Sequence, residues 1–217
     1  MCKKIIFVLI VLVVLSCNKT TNKTEFERFT NSINLLEVPV VFYDTLTLAI
    51  ENKDNYSSID SNDIKKYGLL DVFKDTLTAR FPYIDIMSYK LKAIGRFTTS
   101  KQIVLVGKAF KQEMGNETPV IVMYVFDKNG NKLDNKIIMY NNGKNDKYTS
   151  RSKIIINDNY KINRTDSLKL TIYINKKIVP YRITKYNFLY EIDLSGKIII
   201  AQYDSVCVWK NTNPRIR

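Results

Sequence analysis

Residues 119–135 read "PVIVMYVFDKNGNKLDN". The first eight are β-branched, aromatic or otherwise apolar apart from the leading proline, which suits a strand and not a loop. Asn129-Gly130 then interrupts two apolar runs, the strongest short-range hairpin signal, because glycine accepts the positive φ that a tight turn demands. The expected turn is a two-residue primed one, with positive φ at both central positions. "DLSGK" at 193–197 repeats the signal between the last strands. Connections this short force antiparallel pairing.

Working outward, "VPVVFYD", "TLTLAIE", "QIVLVGKAF", "KLDNKIIMY", "SKIIIND", "SLKLTIYIN", "VPYRITKY", "FLYEID", "KIIIAQY" and "SVCVW" are all β-branched or aromatic and mostly alternate with polar residues. The fold class is therefore mainly β, an antiparallel hairpin-rich sheet. Strand spacing leaves a meander, a sandwich or an open barrel equally open. Phe26, Phe29, Ile33 and Leu36 recur at helical spacing, so a short N-terminal amphipathic helix is expected, ended by Pro39. A second helical turn is expected from Ser61 to Tyr67, with Ser61 or Asn62 as its N-cap and Gly68 as its stop. The stretch 52–100 is less regular, but no Pro/Gly/Ser linker divides it, and residues 25–217 read as one domain.

The N-terminus has a different logic. Lys3 and Lys4 precede an eleven-residue apolar run, Ile5 to Leu15, too short for the roughly 20 residues a membrane-spanning helix needs and right for a signal peptide. Val14-Leu15-Ser16-Cys17 resembles the bacterial lipobox, in which the cysteine is acylated and becomes the first mature residue. Residues 1–16 are then a lipoprotein signal peptide, and residues 17–24 a lipidated Cys17 with a polar tether reaching about 25 Å when extended. The partner this implies is a membrane, through the lipid on Cys17. Asn18, where retention in the inner membrane commonly requires Asp, favours the outer membrane; the periplasmic or surface face stays undecided.

Composition narrows the chemistry. The net charge of +13 becomes +11 once Lys3 and Lys4 are removed, which would suit nucleic acid, anionic lipid or acidic glycan. The lysines are scattered among Asn, Ile and Tyr, however, so the charge reads as background and no nucleic-acid partner is expected. Histidine is absent, which removes Ser-His-Asp and Cys-His machinery and the commonest zinc ligand. Of the cysteines, Cys2 leaves with the signal and Cys17 is acylated. Cys207 is left alone in "SVCVW", where it reads as a small buried hydrophobe.

Several patterns were weighed as sites. Asp127-x-Asn129-x-Asn131 starts like a calcium loop, but Lys132 stands where glycine is needed and Ile138 where glutamate is, so it reads as a turn, and neither a metal nor a cofactor is expected. Asp44-Thr45-Leu46, Asp75-Thr76-Leu77, Asp166-Ser167-Leu168 and Asp204-Ser205-Val206 resemble an O-glycosylation acceptor motif of envelope proteins, making Thr45, Thr76, Ser167 and Ser205 candidate modification sites. Asp60 with Asp63, or Glu51 with Asp54, are the acid pairs a glycosidase-like mechanism would need; all four sit in polar sequence where solvated carboxylates are the default. Tyrosines from Tyr83 to Tyr203 interleave with Lys and Arg, which suits either glycan contact or cross-strand pairing.

With its lipobox, tether, Phe-x-x-Phe helix and "FDKNGNK" and "DLSGK" turns, the chain resembles the small envelope lipoproteins of the Bacteroidota. The resemblance implies no activity and no catalytic residue. The expected function is a lipid-anchored envelope binding or structural protein, contacting an unidentified envelope protein or glycan. The alternatives are an immunity or inhibitor lipoprotein that neutralises a toxin or hydrolase, and a carboxylate-based glycan-processing enzyme.

Overall fold

A computed structural model of the chain describes residues 24–43, 56–73, 89–113, 116–140, 148–174 and 177–209. A short helix α1 (24–31) comes first. It is followed by β1 (Val40–Tyr43), β2 (Ser57–Ser58), α2 (Ser61–Lys66), β3 (Tyr89–Thr98), β4 (Gln102–Glu113), β5 (Asn116–Asp127) and β6 (Lys132–Tyr140). Then come β7 (Tyr148–Ile156), β8 (Ile162–Ile174), β9 (Lys177–Ile192) and β10 (Ile198–Trp209). The strands form two five-stranded antiparallel sheets, ordered β2-β3-β4-β5-β6 and β1-β7-β8-β9-β10. The fold is mainly β, and the two sheets pack face to face as a sandwich.

The apolar run from 119 to 126 explains the layering. In β5, Ile121, Met123 and Val125 point into a core shared with Ile154 of β7, Ile162 of β8, Tyr190 of β9 and Ile198 of β10. Val120, Val122, Tyr124 and Phe126 point the other way, onto Phe26 and Phe29 of α1 and onto Tyr67, Leu69 and Phe73. A strand covered on both faces loses the polar half of its alternation, which is why this one is almost continuously apolar. Each such side chain contributes roughly 1.5–3 kcal/mol through burial. Tyr124 carries one polar atom into the core, and its hydroxyl donates to the Leu69 carbonyl at 2.6 Å.

The turn after β5 differs from the expected two-residue form. Gly130 N–H donates to the Asp127 carbonyl at 3.2 Å and Asp127 N–H to the Asn131 carbonyl at 2.9 Å, closing a three-residue loop. Within it only Gly130 has positive φ, at 88°. The Asp127 carboxylate accepts from Asn129 N–H at 2.8 Å and Asn131 N–H at 2.9 Å, so it shapes its own turn, and the calcium-loop resemblance dissolves into turn chemistry.

The helical boundaries also move. α1 buries Phe26 and Phe29 as expected but stops at 31, well before Pro39. Thr30 and Ser32 hydroxyls donate back to the Phe26 and Phe29 carbonyls at 3.0 and 2.7 Å, competing with the helix ladder. The chain then pairs with β3, through Leu36 N–H to the Arg96 carbonyl and Arg96 N–H to the Asn34 carbonyl, both at 2.8 Å. The N-cap of α2 is Asp60, whose carboxylate accepts from Asn62 N–H at 2.7 Å.

β3 lay hidden in the irregular 52–100 stretch because a register shift between Ala93 and Gly95 flips its phase. Leu91 and Ala93 face the helical layer, whereas Phe97 faces the second sheet. "VPYRITKY" and "FLYEID" prove to be one strand, β9, and "KIIIAQY" and "SVCVW" another, β10, with Asn187 opposite Asp204 in their shared ladder. "TLTLAIE" lies outside the described residues.

Candidate binding surface

The last hairpin begins with Asp193, whose carboxylate accepts from Ser195 Oγ at 2.6 Å, Ser195 N–H at 2.8 Å and Lys197 N–H at 2.9 Å. These bonds, the Ser195 hydroxyl foremost, hold Asp193 below the usual carboxylate range. Leaving this turn, Ile198 is buried and clamped to the edge of the first sheet. Its N–H donates to the Asp134 carboxylate at 2.7 Å and its carbonyl accepts from Lys136 Nζ at 3.2 Å.

Beyond Ile198 the strand leaves the core. Ile199, Ile200, Tyr203, Val206, Val208 and Trp209 are 43–55% exposed, apolar and aromatic side chains shared between the two faces of one strand. Its ladder to β9 is complete apart from a bulge between Ile200 and Gln202. Tyr203 lies 5.1 Å from the Phe188 ring, and the Arg182 guanidinium sits 5.1 Å over the ring of Trp209. Cys207 is exposed, not buried as its alternating context suggested; its Sγ accepts from Arg182 Nε at 3.1 Å. Alternation gives a strand two faces without saying that either is covered.

The other outer strands are guarded. β1 has four residues and β2 has two, and short edges offer little to pair with. β6 carries Lys132, Asp134 and Lys136 and two register shifts against β5. Lys132 is also occupied, donating to the Gly68 carbonyl at 2.6 Å and to Asp71 at 3.1 Å. β10 has twelve residues, its bulge lies near its start, and Gln202 to Trp209 contains no Lys, Arg or Pro. Among the described residues no strand pairs with its outer edge.

Charge around this strand is lopsided. β9 carries Lys177, Arg182 and Lys185 and no acid before Glu191. The carboxylates Glu191 and Asp193 gather at the turn end and Asp204 stands midway along β10, so basic residues outnumber acids on the half of the hairpin far from the turn.

At the turn end lies a polar cleft of about 330 Å³, lined among others by Lys101, Gln102, Asn159, Tyr160 and Glu191. Lys161 pairs with Glu191 at its rim, at 2.7 Å. The β7–β8 turn has the same hydrogen bonds as those at Gly130 and Gly196, with Tyr160 N–H to the Asn157 carbonyl at 2.8 Å. Tyr160 therefore takes a φ of 60° at the position where the other two turns use glycine. That backbone costs roughly 1–2 kcal/mol. Its ring stacks on Phe97 at 4.9 Å and 4°, and aromatic pairs are worth about 0.5–1.5 kcal/mol, so packing offsets the strain and accounts for the residue.

Of the sequence-predicted sites, Cys17, Thr45, Thr76, Glu51 and Asp54 lie outside the described residues. Ser167 is half-buried in mid-β8, opposite Lys185, and Ser205 is exposed in mid-β10. Asp166 is committed to a bidentate pair with the Arg164 guanidinium. Asp60 caps α2, and Asp63 stands in its first turn, raised above the usual carboxylate range by burial and then by Asp60. Among the described residues, the aromatic and basic side chains meet both across a ladder, with Arg164 over Phe188, and between the sheets, with Lys136 over Tyr190. Among the described residues no cluster of three or more His, Cys, Asp or Glu could hold a metal, and no helix is long and apolar enough to cross a membrane.

Sequence reasoning missed the β10 surface. Its signal was a strand rich in Val, Ile and aromatics with no gatekeeping Lys or Pro from Gln202 to Trp209. Compared with known proteins, the chain matches no family description, no curated protein and no solved structure.

Proposed function

We propose that the chain is a tethered β-sandwich that acts by binding and not by catalysis. More particularly, it is a lipoprotein of the cell envelope, held on the outer membrane by acyl chains on Cys17. The observation that carries the binding reading is the exposed apolar strand β10: a concentration of exposed apolar side chains on one element marks a contact site. The lipobox-like "VLSC" at 14–17 supports the address. Each buried methylene contributes about 0.8 kcal/mol, so two or three acyl chains hold a protein on a bilayer durably.

The test is fractionation of cells producing the parent chain and Cys17→Ser. The parent should pellet with membranes and take up a clickable palmitate analogue, and the variant should become soluble and unlabelled. A variant that still pellets, together with an unlabelled parent, would refute the lipid anchor.

A further inference from the structure

We propose that β10 is a docking edge for an extended, acidic segment of another protein, which adds to the second sheet as a sixth strand beside β10. The inference rests on the binding reading and names the partner's chemistry.

Backbone geometry supplies the first argument. An outer strand presents a row of N–H and C=O groups spaced to pair with another strand, and natural folds shorten, bulge or charge such edges to prevent it. Here β1 and β2 are short and β6 carries Lys132 and Lys136 with two register shifts, whereas β10, past its bulge at Ile200/Gln202, keeps an unbroken ladder from Gln202 to Trp209 with Asp204 as its one charge. Its first residue is fixed by Asp134 and Lys136, so the edge is presented from a rigid mount. Strand addition takes affinity from main-chain hydrogen bonds and selectivity from the side chains flanking the edge. Val206 and Val208 flank it on one face, and Tyr203 and Trp209 on the other, all exposed.

Charge selects the occupant. Arg182 and Lys185 lie opposite Trp209 and Val206 on the neighbouring strand, and Asp204 is the one acid from Gln202 to Trp209. A segment whose Asp or Glu residues fall at the Val206–Trp209 end meets complementary charge there, whereas a basic segment is repelled. A second copy of this chain fits poorly, because each copy carries the same positive net charge, +13 over the full sequence and +11 once Lys3 and Lys4 are removed.

The full chain in mild detergent is titrated with a synthetic ten-residue peptide alternating Glu with Val or Ile, and with its Lys-for-Glu counterpart. Trp209 is the single tryptophan, so its emission reports occupancy at the edge. The acidic peptide should give a saturable change whose Kd rises at least tenfold from about 0.05 to 0.5 M salt, as screening shortens from about 14 to about 4 Å. The basic peptide should give none. Val206→Asp/Val208→Asp should weaken the acidic peptide at least tenfold with an unchanged melting temperature. If that variant unfolds, the salt dependence and charge selectivity of the parent still decide the question. Equal binding of both peptides, or binding of neither, overturns the acidic-strand inference and leaves the membrane anchor to its own fractionation test. A parent that sediments as a dimer, and a monomeric double variant, would replace the foreign strand with a second copy.

Discussion

β5 and β10 are both twelve residues long, both rich in Val, Ile and aromatics, and both paired antiparallel along their length. From Val120 to Phe126, β5 is buried on both faces, whereas from Ile199 onward every residue of β10 is exposed. Composition therefore specifies that a segment pairs, and position in the sheet order specifies what it packs against. β5 sits between β4 and β6, with a helical layer on one side and the second sheet on the other. β10 is last in its sheet and meets the core only through Ile198. Burial accounts for the apolar residues of β5; those of β10 are exposed, and it is for them that a contact role is proposed.

The largest expected effect lies at the end of β5. A Cβ on Gly130 would come within 2.6 Å of Phe26 Cγ, and the residue holds a φ of 88°. Gly130→Val combines backbone strain with displacement of a fully buried ring, for about 2–5 kcal/mol of lost stability in urea unfolding. An unchanged midpoint would mean that the β5–β6 turn does not pack on α1, and would break the contrast at its buried end.

Next comes Tyr124→Phe. Leaving the Leu69 carbonyl without its donor should cost about 1–3 kcal/mol. Burial, and then the charge of Asp71, push the Tyr124 phenol far above its ordinary value. The folded state therefore keeps a proton that the unfolded chain releases above a pH of about 10. Stability is full below that value and declines as pH rises toward the folded-state one. The variant should be less stable at neutral pH and lose stability less steeply in alkali. Parallel slopes above about pH 10 would show that the phenol is reached by solvent and that this core opens as β10 does.

The sheet architecture was legible because it is local: the turns at Asp127 and Asp193, and runs such as 119–126, announce themselves within a few residues. What was not legible depended on distant partners. The Ala93/Gly95 shift hid β3, since its two halves answer to different cores. Asn187 and Asp204 broke β9 and β10 into pieces on paper, since their tolerance comes from pairing with each other on an uncovered face. Cys207 was misplaced for the same reason: period-two alternation distinguishes two faces, and only the third dimension says which is covered. No motif marked the exposed β10 surface, because what distinguishes it is an omission, the lysines that β6 carries and β10 lacks.

The smallest stability effect should come from Val206→Ser/Val208→Ser. Two valines deleted from a core would cost several kcal/mol, but here both side chains are already about half in water in the unbound chain, and their removal leaves the β9 ladder in place. Serine's weaker strand propensity is the main loss, so the pair should shift unfolding by no more than about 1 kcal/mol. The same substitutions remove most of the apolar surface on the outer face of the edge, so binding of the acidic strand peptide should fall severalfold in the same preparation. Little lost stability beside weakened binding is the pattern a contact strand must give and a structural strand cannot. A loss of 3 kcal/mol or more would instead show that β10 is covered in solution by another part of the chain, and that its resemblance to β5 extends to burial.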